Sequence, residues 1–110
     1  MGIRVYYSNG ADCIPLEEDF IREFSDEEYR AMQPVFDVLK VRTRIEINSN
    51  SNVDLSATTV QSLVEIIYDV LPHQKKEATI ASIDQLNEIV QIAREKRRGL
   101  SFYSSESQRS

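Results

Sequence analysis

Between Ser56 and Pro72 the apolar residues Val60, Leu63, Val64, Ile67, Val70 and Leu71 return every three or four positions. That repeat lines one side of an α-helix. Ile66 widens the stripe beyond what one neighbour covers, so the helix has to be buried on two sides. Pro72 closes it, because proline donates no backbone hydrogen bond and its ring clashes with the preceding turn. A helix this apolar must sit within a layered domain, and the rest of the chain has to supply the layers.

Ile3 to Ser8 alternates and is rich in β-branched and aromatic residues, which predicts a first strand ending at the Asn9-Gly10 turn. Leu16, Phe20, Ile21 and Phe24 fall at helical spacing and predict a short helix. Ser25-Asp26-Glu27-Glu28 matches a capping box, so a further helix starts near Asp26, is kinked or broken by Pro34, and ends near Lys40. Val41, Thr43, Ile45 and Ile47 alternate with Arg42, Arg44, Glu46 and Asn48, predicting a half-buried strand. Residues 48–52 form a polar loop. Ser82-Ile83-Asp84-Gln85 repeats the capping pattern ahead of Leu86, Ile89, Val90 and Ala93, and Gly99 is placed to cap that last helix. Leu100 to Tyr103 predicts a final strand. The expected fold is α/β or α+β, of order β-α-β-α-α-β. About three strands pack against a helical layer in one domain, residues 1–104, followed by a frayed polar tail, residues 105–110.

Of 110 residues, 41% are hydrophobic and 28% charged, as in ordinary globular domains, and no apolar run approaches membrane-spanning length. The N-terminal Met1-Gly2-Ile3-Arg4-Val5 lacks a signal-peptide layout. The only cysteine, Cys13, excludes an internal disulfide and behaves by default as a small buried hydrophobe. Together these predict a cytoplasmic protein without a membrane anchor. With one histidine, His73, and one cysteine, transition metals lack ligands. Three glycines make no phosphate loop, and none lies between Gly10 and Gly99, where a calcium loop would need one. No catalytic residue, metal site or cofactor is therefore expected.

Charge is the functional signal. Seven of the twelve residues from Glu17 to Glu28 are acids: Glu17, Glu18, Asp19, Glu23, Asp26, Glu27 and Glu28. Residues 1–37 hold nine acids and three bases, whereas residues 38–110 hold nine acids and ten bases, so the net −5 resides in the first third. Clustered like charges repel, and a cationic partner relieves them. A solvated helix face whose acids complement the positive N-terminal dipole is the alternative reading. Arg94, Lys96, Arg97 and Arg98 complement the last helix's negative end in the same way. A net negative charge argues against nucleic acid as the partner. On a strand Tyr6 and Tyr7 point to opposite faces, so one lies outside the main core, and Phe102 and Tyr103 obey the same parity.

In size, acidity and lack of catalytic groups the chain resembles the immunity proteins with which bacteria neutralise toxic nucleases, a likeness of general character rather than of motif. The resemblance implies an inhibitor or immunity-type module whose seven acids mask a basic partner such as a toxin domain. The alternative is a regulatory or assembly module acting as a homo-oligomer, the acidic third of one copy meeting the basic helix end of another.

Overall fold

The computed structural model describes residues 2–10, 14–48 and 52–104. Cys13, the 105–110 tail and the centre of the 48–52 loop lie outside them. The first and last strands occupy the middle of the sheet. β1 (Gly2–Tyr7) pairs antiparallel with β2 (Phe20–Ser25) on one side and with β4 (Leu100–Ser104) on the other. β3 (Val53–Leu55) joins β4 antiparallel, giving the order β2-β1-β4-β3. The sheet is thus four-stranded and antiparallel, not three-stranded, and the order of elements differs from the expected one.

Alternation along each strand divides the sheet into two faces. Ile3 and Val5, Phe24, Leu100 and Phe102, and Leu55 enter the core. There they meet α1 (Asp26–Ala31), α2 (Gln33–Thr43), α3 (Ala57–Val70) and α4 (Glu77–Glu95). Val35, Phe36 and Leu39 of α2, Val60, Leu63, Ile66 and Ile67 of α3, and Ile83, Leu86, Ile89, Val90 and Ala93 of α4 complete one continuous cluster. Phe36 meets Phe102 edge-on at 6.2 Å, tying helix layer to sheet. Ile66 and Ile67 are both buried, as the broad stripe on α3 requires. The opposite sheet face carries Arg4, Tyr6, Phe20, Glu23, Asp54, Ser101 and Tyr103.

The capping box forms as expected: Ser25 Oγ accepts from Glu28 N at 3.1 Å, and Glu28 Oε1 accepts from Ser25 N at 3.0 Å. The helix it starts breaks at Met32, so Pro34 falls in the first turn of α2, where its missing N–H costs nothing.

Four local expectations are corrected. Residues 16–24 are not a helix but a 3₁₀ turn, Glu17–Asp19, followed by β2. β1 captures this segment by backbone pairing, and of the four apolar residues only Phe24 is fully buried. Val41 and Thr43 end α2 rather than starting a strand; Val41 is 82% exposed, and Ile47 alone of the alternating set is buried. Here α2 runs on to a left-handed Arg44, φ 62°, leaving 44–48 outside regular structure, while β3 forms later, at 53–55. α4 starts at Glu77, five residues before the expected cap, and Ser82 is buried within it.

The fourth correction concerns the end of α4. Arg97, φ 55°, takes the left-handed position. Arg98 N bonds Ala93 O and Arg97 N bonds Arg94 O, each at 3.0 Å, the two bonds of a Schellman cap. Gly99 serves a different need. A Cβ there would lie 2.0 Å from Leu55 O, so only glycine lets β4 begin this close to the end of β3.

Candidate functional site

The seven acids do not form one front. Glu17 and Glu18 open the 3₁₀ turn before β2, while Asp26, Glu27 and Glu28 open α1 after it. Six strand residues separate these groups by roughly 17–20 Å. Four carboxylates are neutralised within the chain. Glu23 pairs with Arg4 at 3.5 Å, Asp26 with Arg30 at 3.0 Å, Glu28 with Arg22 at 3.1 Å and Asp19 with Arg98 at 3.4 Å. Glu17, Glu18 and Glu27 are exposed and have no cationic partner among the described residues.

Asp19 is the structural member of the set. Its carboxylate accepts from Asn9 Nδ2 at 2.6 Å, from Leu16 N at 3.1 Å and from Arg98 at 3.4 Å. Asn9, foremost, and the Leu16 N–H outweigh the opposing effect of burial, and Arg98 adds to them, holding the acid below its usual range. Arg98 also donates to Asn9 Oδ1 at 2.8 Å and to Ser8 O at 3.3 Å, and its guanidinium lies 5.0 Å from the Tyr7 ring centre. The turn after α4 therefore pins the segment that leads into β2.

That pinned segment displays apolar side chains the charge pattern hid. Ile14 is 80% exposed, Leu16 55% and Phe20 37%, with Glu17 and Glu18 between the last two. Phe20 continues onto the opposite sheet face, where its ring meets Tyr6 edge-on at 5.4 Å, and Tyr6 meets Tyr103 at 5.7 Å. The Arg4 guanidinium sits 4.7 Å from the Phe20 ring centre. Burial, then Asp54 and Tyr6, raise the Tyr103 phenol above its usual range. Of Tyr6 and Tyr7, which point to opposite faces of β1, Tyr6 is the one outside the main core cluster. The exposure of Ile14 and Leu16 had no comparable signal, since it follows from β1 claiming residues 20–25.

Neither sheet edge invites strand addition. β2 carries a bulge at Ile21 and the charged pair Arg22 and Glu23, and β3 is only three residues long. Among the described residues no helix is long and apolar enough to cross a membrane, and no group of three or more His, Cys, Asp or Glu converges as metal ligands would.

Concavities open on the helical side. One of about 330 Å³ lies between α3 and α4 beside Tyr68, which is 82% exposed. One of about 320 Å³ lies beside Arg42, which reaches across to Asp69 at 3.2 Å. Another, of about 350 Å³, joins the start of α3 to the end of α4. No family model matches the chain, and comparison with curated proteins and with solved structures returns no match.

Proposed function

We propose that the chain is a protein-interaction module, without catalytic chemistry of its own, that masks a basic partner as inhibitor and immunity-type proteins do. Its docking surface is the segment Ile14 to Phe20. One observation carries this reading: Ile14, Leu16 and Phe20 stand exposed around the uncompensated Glu17 and Glu18. Apolar anchors with charged neighbours are what protein interfaces use, the anchors for affinity and the charges for steering. The Asp19–Arg98 contacts order the segment before binding, which lowers the entropy lost on association. A partner with an apolar centre ringed by Lys and Arg, such as a nuclease toxin domain, is complementary to it.

The test is capture from host extract with tagged protein, followed by binding kinetics on whatever is recovered. Glu17→Lys with Glu18→Lys should slow association ~10-fold or more at low salt. Ile14→Ser with Leu16→Ser should speed dissociation, with the thermal midpoint nearly unchanged in both variants. Glu27→Lys, beyond β2, should bind as the native chain does. Unchanged kinetics in both double variants would remove this segment from the interface.

The homo-oligomer reading draws on the basic end of α4 and the turn after it, where Arg94 and Arg97 have no carboxylate partner among the described residues. It requires association that weakens with salt, so sedimentation at low and high ionic strength separates the two readings.

A further inference from the structure

The concavity of about 350 Å³ is lined, among the described residues, by Arg94, Arg97 and Arg98 from the end of α4 and by Ala57, Thr58 and Gln61 from the start of α3. Its walls are brought together by Gly99. A Cβ there would lie 3.3 Å from Ser56 C as well as 2.0 Å from Leu55 O, so the turn after α4 rests on the β3–α3 junction. The left-handed turn at Arg97 ends α4 against this junction.

The charges in the pocket are not balanced. Arg98 is committed to Asp19, Asn9 and Ser8, whereas Arg94 and Arg97 have no ion pair among the described residues. The described lining holds no carboxylate, although the chain as a whole is acidic. Complementing the helix dipole accounts for Arg94 in the last turn of α4, but Arg97 lies beyond the helix. Guanidiniums gathered in one concavity repel one another unless an anion sits between them.

We infer that this pocket binds a phosphate dianion, as a small phosphomonoester or as inorganic phosphate. Arg94 and Arg97 form the charged clamp, and the Thr58 hydroxyl and Gln61 amide are additional donors. Guanidinium groups match phosphate oxygens with paired, charge-assisted hydrogen bonds. The volume lies at the lower end of the range for small-ligand pockets, enough for a phosphate with a short organic group.

The test is an amide NMR titration of the full chain with sodium phosphate and, separately, with glycerol 3-phosphate, each against sodium chloride at equal ionic strength. The expected result is saturable shifts centred on Thr58, Gln61, Arg94 and Arg97 that chloride does not reproduce. The arm that half-saturates at the lower concentration identifies the source of the phosphate. Arg94→Gln and Arg97→Gln should each weaken binding by ~10-fold or more. Lys75→Gln, an exposed charge elsewhere, should leave it unchanged. Circular dichroism of the variants separates lost binding from lost folding, and either single variant suffices should the other unfold. Linear shifts matching those of chloride, or equal affinity in the arginine variants, would overturn the assignment.

Discussion

Replacing Arg97 by glycine should make this protein more stable. Arg97 sits at φ 55°, between Lys96 at the helix end and Arg98, whose N–H closes the cap onto Ala93 O. An L-residue in that conformation costs about 1–2 kcal/mol, because its Cβ crowds the following carbonyl oxygen. Glycine removes that penalty but adds freedom to the unfolded chain, which takes back about 0.4–1 kcal/mol. The net gain is about 0.5–1 kcal/mol. For 110 residues the unfolding entropy near the midpoint is about 0.23 kcal/mol/K, so Tm should rise by about 2–4 °C. Urea unfolding should show a higher midpoint with an unchanged slope. Arg97→Ala separates backbone from charge, since it removes the guanidinium, keeps the crowding and should stay near the native value. Had the helix continued to a cap at Gly99, position 97 would be helical and glycine there would cost up to about 1 kcal/mol. A lowered midpoint for Arg97→Gly would therefore refute the cap at Arg97.

Gly99→Ala should destabilise by about 3 kcal/mol, because the new methyl meets backbone at 2.0 Å and β3 must separate from β4 to admit it; a loss under about 1 kcal/mol in urea titration would mean that the strands are not this close. Asp19 sets an acid-side dependence. Its folded pKa lies below the usual 3.8, so the folded state binds fewer protons, and its stabilisation is present above pH 3.8 and lost as pH falls through the folded value. Asp19→Asn should flatten the stability profile in that acid window, and an unaltered slope would show that the Asn9, Leu16 and Arg98 contacts are not made.

The helices were legible where local chemistry and tertiary demand coincide. Ser25 and Glu28 satisfy each other's backbone within four residues, and the α3 stripe fits any partner layer, so neither needed distant information. The strands were legible only where alternation met a real neighbour. Val41, Thr43, Ile45 and Ile47 alternate convincingly, yet α2 extends through the first two, with Thr43 Oγ1 donating back to Leu39 O at 2.7 Å. Leu16, Phe20 and Phe24 carry helical spacing, yet β1 pairs with the last two as a strand. Spacing over eight or nine residues does not tell a helix from an edge strand when a neighbouring strand offers a full row of hydrogen bonds.

The candidate site divides along the same line. Composition and order alone determined that charge is concentrated in the first third, that Tyr6 and Tyr7 part company across a sheet, and that metal and thiol chemistry are poorly supplied. Tertiary structure decided which acids remain free. Asp19 meets Arg98 across 79 positions because β1 pairs antiparallel with β4, bringing the first and last strands together. The physical reason is one of range: propensity and capping act within a few residues, whereas ion pairing, exposure of Ile14 and Leu16, and convergence of Arg94 with Thr58 exist only once distant backbone is packed.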